Sequence, residues 1–255
     1  MKLTFLGTGT SCGVPVIGCQ CEVCQSTDPR DKRTRCSALV ETENTRLLID
    51  CGPDFRQQIL PQPFRKIDGI LITHSHYDHM GGMDDIRPYC QFGEINVYAD
   101  PHARASMLEM LPYCFAENRY PGVPAIGLHE ILPHVPFRIG DFEILPFEVM
   151  HGKLPILGYR IGPLAYITDM KTIDEAEMKY LEGIEVLVVN ALRFTKPHHS
   201  HQLVDDAIAF AQRVGARRTL LIHMCHDIGL HEKVNQELPA GIELAYDGQE
   251  ILLCG

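Results

Sequence analysis

The chain has 255 residues, 45% of them hydrophobic and 22% charged, which is the composition of a globular protein and excludes a disordered chain. Acidic residues number 33 against 23 Lys and Arg, and the resulting net charge of −10 argues against long nucleic acid as a partner. No apolar run approaches the roughly 18 residues of a membrane span, and Gly7 interrupts the first apolar stretch, so we predict a cytoplasmic protein without a membrane partner.

Short apolar segments rich in Val, Ile, Leu and Thr recur along the chain between Gly, Pro or Asp residues, a pattern that predicts β-strands. The predicted strands cover residues 3–6, 38–41, 46–49, 69–73, 95–98, 142–147, 164–168, 186–189, 218–222 and 242–245. Apolar residues at helical spacing predict helices over residues 103–111, 174–181, 203–214 and 230–238. We therefore predict one domain over residues 1–255 of the α/β or α+β class, with strands in hairpin-like succession first and strands mixed with helices later.

A proline-rich stretch at residues 112–136 interrupts this alternation. It contains five Pro and two Gly, which argues against regular structure and for a surface excursion. Such a segment is either a lid over a site or a connecting loop without a role in chemistry.

Four candidate metal ligands lie within six residues, directly after the predicted strand at residues 69–73. They are His74, His76, Asp78 and His79. Imidazole nitrogen and carboxylate oxygen suit Zn, Mn or Fe, and a strand end can hold such ligands rigidly. An extended backbone would place His74, His76 and Asp78 on one side, so we predict a turn near Asp78 that redirects His79.

The pattern His-x-His-x-Asp-His formed by these residues resembles the signature of the metallo-β-lactamase superfamily. The resemblance extends to His151, Asp169 and His223, each of which follows a predicted strand, and to the early strand and Gly-rich turn at residues 3–13. It implies a four-layer αββα sandwich of two mixed sheets, with the site at one edge of the sheets.

The resemblance also implies a division of the ligands between two divalent metals. His74, His76 and His151 would hold one metal, Asp78, His79 and His223 the other, and Asp169 would bridge them. Two such cations can share a hydroxide and promote displacement at phosphorus or at a carbonyl carbon, and the donor set leaves Mn, Zn and Fe open. The lactamases themselves often carry Cys where this chain has Asp169, which points to the phosphodiesterase and thioesterase branches.

Three thiols crowd a second segment early in the chain, at Cys19, Cys21 and Cys24. Three thiolates need a fourth ligand to close a tetrahedral zinc site, and Cys225 and His226 are the candidates. The spacing resembles that of the cyclic-phosphate phosphodiesterases of the bacterial carbon–phosphorus lyase pathway, which implies His226 as the fourth ligand and one structural zinc.

A run of histidines at residues 198–201 precedes the predicted helix at residues 203–214. An imidazole suits proton transfer near neutral pH. In the phosphodiesterase and tRNA-maturase branches, a His in this place is the proposed general acid, which implies His201 here, with His199 as the alternative. The predicted catalytic residues are thus His201, Asp78 and Asp169, and Ser11 is a candidate for substrate contact.

Together these features predict a metal-dependent phosphodiesterase whose substrate is a small phosphodiester, cyclic or linear. Four alternatives remain: a tRNA 3′-processing endonuclease, a thioester hydrolase, a lactone hydrolase and a non-enzymatic binding protein of the quinone-cofactor biosynthesis type. Resemblance to the phosphodiesterase branch also implies a homodimer.

Overall fold

Two seven-stranded sheets dominate the computed structural model, which describes residues 1–253. The strands are β1 (Lys2–Gly7), β2 (Ser37–Glu41), β3 (Arg46–Ile49), β4 (Gly69–Leu71), β5 (Ile95–Ala99), β6 (Ile126–Glu130), β7 (Phe137–Ile139), β8 (Phe142–His151), β9 (Leu154–Ile161), β10 (Leu164–Tyr166), β11 (Val186–Asn190), β12 (Arg218–Ile222), β13 (Ile242–Leu244) and β14 (Glu250–Leu252). The first sheet has the order β14-β1-β2-β3-β4-β5-β6, and the second has the order β13-β12-β11-β10-β9-β8-β7.

Helices join the parallel strands. The α-helices are α1 (Glu22–Gln25), α2 (Phe55–Ile59), α3 (Tyr77–Met80), α4 (Pro101–Met110), α5 (Pro112–Phe115), α6 (Val204–Val214) and α7 (His231–Glu237). Four 3₁₀ helices within the described residues cover Pro29–Asp31, Met83–Phe92, Glu175–Leu181 and His226–Ile228. None of the helices described for residues 1–253 has the length and apolar character needed to cross a bilayer.

Side-chain alternation along the strands builds three apolar layers. Leu47 and Ile49 of β3 pack into the core between the two sheets, whereas Leu48 points to the helices outside the first sheet. In the second sheet, Tyr166 of β10 faces the same central core, and Ala165 faces the outer layer with α6. Each sheet is therefore buried on both faces, and the predicted four-layer αββα sandwich is confirmed.

The strand directions bring candidate ligands to one edge of the sandwich. Neighbours are parallel from β3 to β6 and from β10 to β13, and antiparallel elsewhere in each sheet. Because β8 and β10 are both antiparallel to β9, they run in the same direction. The carboxyl ends of β4, β8, β10 and β12, which precede or contain the candidate ligands, therefore meet at this edge.

Some predicted elements are wrong. The first half is not a succession of hairpins throughout, because β3, β4, β5 and β6 pair in parallel and need helical connections. The proline-rich stretch at 112–136 is not wholly irregular, since it contains α5 and the edge strand β6. The segment predicted as a helix at 174–181 is a 3₁₀ helix.

Candidate functional site

Ligand atoms of the predicted metal-binding residues converge at the shared edge of the two sheets. One group contains His74, His76 and His151, and a second contains Asp78, His79 and His223; within each group the ligand atoms lie within 4.8 Å of one another. The carboxylate of Asp169 lies between the groups, 3.1 Å from Nε2 of His79 and 3.1 Å from Nε2 of His223.

A helical turn rather than an extended backbone arranges the first four of these side chains. His76 caps α3, which begins at Tyr77 and contains both Asp78 and His79. The predicted placement of Asp78 on an extended backbone is therefore wrong, although a turn does redirect His79 as expected. Gly52 permits this arrangement, because a side chain there would collide with the carbonyl oxygen of Asp78.

Outward hydrogen bonds from Nδ1 fix the orientation of three of the histidines. His79 donates from Nδ1 to Asp50 at 2.7 Å, and His151 donates from Nδ1 to the backbone oxygen of Asp169 at 2.7 Å. Nδ1 of His74 lies 3.0 Å from the hydroxyl of Thr73, which in turn donates to Asp50. With a metal bound, Nε2 of each ring would present its lone pair to the centre of the cluster, as in protein metal sites.

Unpaired buried nitrogens show that the cluster fits divalent cations. Within residues 1–253, Nε2 of His79 and both ring nitrogens of His223 have no hydrogen-bond partner, although Asp169 oxygens lie 3.1 Å from both Nε2 atoms. Buried polar atoms in proteins nearly always have a partner. A cation shared with Asp169 would satisfy Nε2 of both rings, and the nitrogen and oxygen donors are of the type that Zn, Mn and Fe accept.

The electrostatics of the cluster keep two of the histidines neutral. Burial lowers the pKa of His74 well below its usual value, and the neighbouring His79 adds to the effect. The pKa of His76 is also lowered, mainly by burial. Since a neutral imidazole is the form that binds a metal, both rings are in the state required of a ligand.

His201 lies beside this cluster, and its Nε2 is 2.8 Å from Oδ1 of Asp169. Its ligand atom also falls within 4.8 Å of those of His151 and Asp169. His201 is buried, whereas His199, the alternative general acid, is exposed at the rim. The structure thus brings His201, and not His199, into contact with the predicted bridging carboxylate.

A cavity of about 750 Å³ opens over the cluster. Its volume falls in the range of small-molecule sites. The cavity is lined by Ser11, His76, Asp78, His151, Gly152, Lys153, Leu154, Asp169, Lys171, Thr172, His199, Ser200, His201 and His223. None of these lining residues comes from the proline-rich stretch at 112–136, so that segment does not form part of the cavity wall.

The three early thiols form a second cluster with His226. Nδ1 of His226 lies 3.1 Å from Sγ of Cys19, 3.3 Å from Sγ of Cys21 and 3.5 Å from Sγ of Cys24. These separations are close to the roughly 3.5 Å between ligand atoms of a tetrahedral zinc bound by sulfur and nitrogen. Cys225, the other candidate, does not join this cluster.

Asp50 is the main contributor that sequence reasoning missed. It follows β3, is fully buried and has a left-handed backbone with φ of 58°. Besides His79, its carboxylate accepts hydrogen bonds from the backbone nitrogen and the hydroxyl of Thr73, both at 2.8 Å. The signal available in the sequence was an Asp directly after the apolar run at residues 47–49.

Known proteins resemble most of this chain. A family model described as the beta-lactamase superfamily domain matches residues 45–224. The crystal structure of a diphosphatase from the PhnP family has a TM-score of 0.91 and 38% identity, and the alignment covers 98% of this chain and 96% of that one.

Two named relatives resemble the chain along most of its length. The anti-Pycsar protein Apyc1 of Bacillus phage 010DV004 is 38% identical over 249 residues, covering 88% of both chains. An octanoyltransferase of Porphyromonas gingivalis is 44% identical over 254 residues, covering 99% of this chain and 52% of that protein. The chain therefore spans about half the length of that relative.

The fold, the clustered His and Asp side chains and the family match agree with one another. The superfamily model covers more than half of the chain, and the phage relative is matched over most of its own length. The chain belongs to the metallo-β-lactamase superfamily and is similar to a member of the PhnP family.

Proposed function

We propose that this protein is a metal-dependent hydrolase, a phosphodiesterase that cleaves a small phosphodiester, cyclic or linear. The observation that carries the proposal is the convergence of five imidazoles and two carboxylates at the base of a cavity whose rim holds two lysines. The PhnP-family relative is named a diphosphatase, and this name supports chemistry at phosphorus.

The ligand set divides as the family resemblance implies. We assign His74, His76 and His151 to one metal, Asp78, His79 and His223 to the other, and Asp169 to both. Two divalent cations bound there would lower the pKa of a shared water and neutralise charge on the phosphoryl oxygens. Zn, Mn and Fe all suit these donors.

Cationic side chains at the rim would hold an anionic substrate over the cluster. Lys153 is exposed in the turn between β8 and β9, and within residues 1–253 it has no ion-pair partner. The ammonium group of Lys171 donates to the backbone oxygen of His201 at 3.1 Å, and its side chain is 30% exposed. Ser11 offers a hydroxyl on the same cavity wall.

His201 is the residue that we assign to proton transfer. As the P–O bond to the leaving group breaks, the leaving oxygen would take the proton from Nε2 of His201, and the ring would end neutral. Burial lowers the pKa of His201 to about 4, partly opposed by its hydrogen bond to Asp169. A phosphodiester anion beside the ring would favour the protonated form.

We also propose that Cys19, Cys21, Cys24 and His226 hold one structural zinc. The backbone N–H of Cys24 lowers the pKa of the Cys21 thiol to about 6, and the thiolate is the form that binds zinc. Such a zinc would tie the early loop to the segment after β12, only three residues beyond His223.

Hydrolysis of an acyl thioester is the second candidate function. The name of the Porphyromonas gingivalis relative favours it, because octanoyl transfer is chemistry at a carbonyl carbon. That name belongs to a protein about twice as long as this chain. Leu154 is the single large aliphatic residue among the described residues that line the cavity, which leaves an octanoyl chain without an apolar channel.

The remaining expectations from sequence become parts of the proposal. The substrate partner would be a small phosphodiester rather than tRNA, since the net charge is −10. A complete set of seven candidate ligands favours an enzyme over a binding protein. The proposed homodimer rests on the family resemblance, and sedimentation analysis of the purified chain tests it. The proposed cytoplasmic location rests on composition.

One assay separates these candidates. Apo-protein is titrated with Mn, Zn and Fe, and each form is offered bis(4-nitrophenyl) phosphate, a 2′,3′-cyclic nucleotide, a diphosphate ester, an aryl thioester and a β-lactam. We expect metal-dependent turnover of the phosphodiesters. Turnover of the thioester alone would replace the proposal with the second candidate, and turnover of the diphosphate ester alone would replace phosphodiester cleavage with phosphoanhydride cleavage.

A further inference from the structure

A buried carboxamide joins the two segments that carry Asp169 and His201. Asn190, the last residue of β11, is fully buried. Its Oδ1 accepts a hydrogen bond from the backbone nitrogen of Met170 at 2.7 Å, and its Nδ2 donates to the backbone oxygen of Met170 at 2.9 Å. The side chain of Asn190 thus binds both the backbone nitrogen and the backbone oxygen of Met170, the residue directly after Asp169.

A second amide extends this arrangement to the histidine segment. Gln202 is 3% exposed, and its side chain donates to the backbone oxygen of Asn190 at 3.0 Å. Its backbone nitrogen donates to the backbone oxygen of Met170 at 3.2 Å, which is the same oxygen that Asn190 binds. The residues after Asp169 and after His201 are therefore held against each other.

The backbone of Asp169 needs such restraint. Asp169 has a φ of 57°, in the left-handed region that a residue with a side chain rarely adopts, so surrounding contacts must hold it there. His151 donates from Nδ1 to the backbone oxygens of Asp169 and Ser200 on one side. Asn190 and Gln202 provide the corresponding restraint on the other side.

We propose that Asn190 and Gln202 are positioning residues that set the distance between Asp169 and His201. This inference rests on the proposed function, in which His201 protonates the leaving group. Neither amide belongs to the candidate ligand groups, and Asp169 is also held by His151 and would be held by the metals themselves, so loss of an amide should displace His201 relative to Asp169 more than it weakens metal binding. Misplacement of a catalytic group by about 1 Å can reduce a rate by about 10²-fold.

The leaving group distinguishes positioning from a general structural role. A 2′,3′-cyclic nucleotide expels an alkoxide that needs a proton, whereas bis(4-nitrophenyl) phosphate expels a stable phenolate that does not. Asn190→Ala should lower kcat about 10²-fold for the cyclic nucleotide and less than about threefold for the aryl diester. Gln202→Leu, which removes one hydrogen bond of the network, should show the same preference with a smaller loss.

An isosteric variant sharpens the comparison. Asn190→Asp keeps the acceptor for the nitrogen of Met170 but places a second oxygen against the carbonyl, so it should behave like Asn190→Ala. Asn235→Ala is the matched control, because Asn235 also holds a backbone nitrogen, that of Leu244, at 2.8 Å outside the cluster. It should lower stability without any dependence on the leaving group.

Metal content and coordinates decide the outcome independently of activity. We expect Asn190→Ala and Gln202→Leu to retain the metals of the unaltered protein and to show a longer Asp169–His201 distance in crystal structures. Equal losses on both diesters, a parallel loss of metal or an unchanged distance would overturn the inference. If the unaltered protein cleaves neither diester, the proposed function fails, and the distance in the variants alone decides on the positioning role. Should Asn190→Ala not fold, Gln202→Leu carries the same measurements.

Discussion

Asp50 and His79 are both fully buried, and their side chains meet at 2.7 Å beneath the candidate metal centre. The same carboxylate binds Thr73, whose hydroxyl lies 3.0 Å from Nδ1 of His74. Asp50 therefore orients one histidine from each of the two ligand groups, directly or through Thr73. A single carboxylate outside the ligand set links the geometry of both proposed metals.

Asp50→Asn should weaken metal binding by about 10- to 100-fold, because outer contacts of ligating histidines tune affinity to this extent. Competition with a chromophoric chelator measures the change. Asp100→Asn is the matched control, since Asp100 caps α4 by accepting from the nitrogen of Ala103 outside the cluster. If Asp50→Asn bound metal as tightly as the control Asp100→Asn, the role of Asp50 would be contradicted.

His201→Ala should reduce turnover of a cyclic phosphodiester by about 10²- to 10⁴-fold while metal content stays unchanged, as expected for loss of a general acid. His199→Ala is the comparison, because His199 is exposed at the rim of the same cavity. A larger effect from the His199 variant would transfer the role to that residue.

Lys153→Ala should raise KM for a phosphodiester about two- to fivefold and leave kcat nearly unchanged, because an exposed charge pair contributes modestly. Steady-state kinetics at low salt measures the effect. Lys66→Ala alters a lysine that does not line the cavity and should leave KM unchanged. A KM that does not depend on Lys153 would remove it from the substrate site.

Cys21→Ser should abolish zinc binding at the thiol cluster and lower Tm by several degrees, while activity per folded molecule falls less. The reason is that a closed zinc site contributes directly to folding free energy. Differential scanning calorimetry with metal analysis tests this. Cys12→Ser changes an exposed cysteine outside the cluster and should leave Tm unaltered.

The stability of the protein should depend on the protonation of His231. Burial, together with the neighbouring Arg33, lowers its pKa to about 4 from the usual 6.5. The unfolded chain binds more protons between these values, so the free energy of unfolding should fall as pH falls through this range.

His231→Gln should reduce this pH dependence by about 1 kcal/mol per pH unit, as measured by urea unfolding at pH 7 and pH 5. His102→Gln alters an exposed histidine on α4 and serves as the control. An unchanged slope in the His231 variant would show that other groups govern acid unfolding.

The sequence carried enough information for the fold and for much of the site because its signals are local. Four candidate ligands lie within six residues, and the superfamily resemblance adds the remaining three. The strand β9 was missed because Pro155 and Gly158 interrupt its apolar pattern. Parallel pairing of β3 to β6 is a non-local property, and nothing in the individual strands distinguishes it from a series of hairpins.

Contacts that orient the candidate ligands were harder to predict. Asp50 directly follows a strand, and Asn190 is the last residue of one. An Asp or Asn in such a place is equally typical of a turn. Their roles depend on partners 20 to 29 positions away, such as Met170 for Asn190 and His79 for Asp50. Only the three-dimensional packing brings these partners together.

The candidate ligands are shared between the two halves of the sandwich. His74, His76, Asp78 and His79 follow a strand of the first sheet, whereas His151, Asp169 and His223 belong to strand ends of the second. A folding intermediate with one sheet formed would hold an incomplete set of donors. Metals would therefore bind tightly only after the two sheets have packed against each other. A molecule with a full set of metals would be one in which this packing is complete.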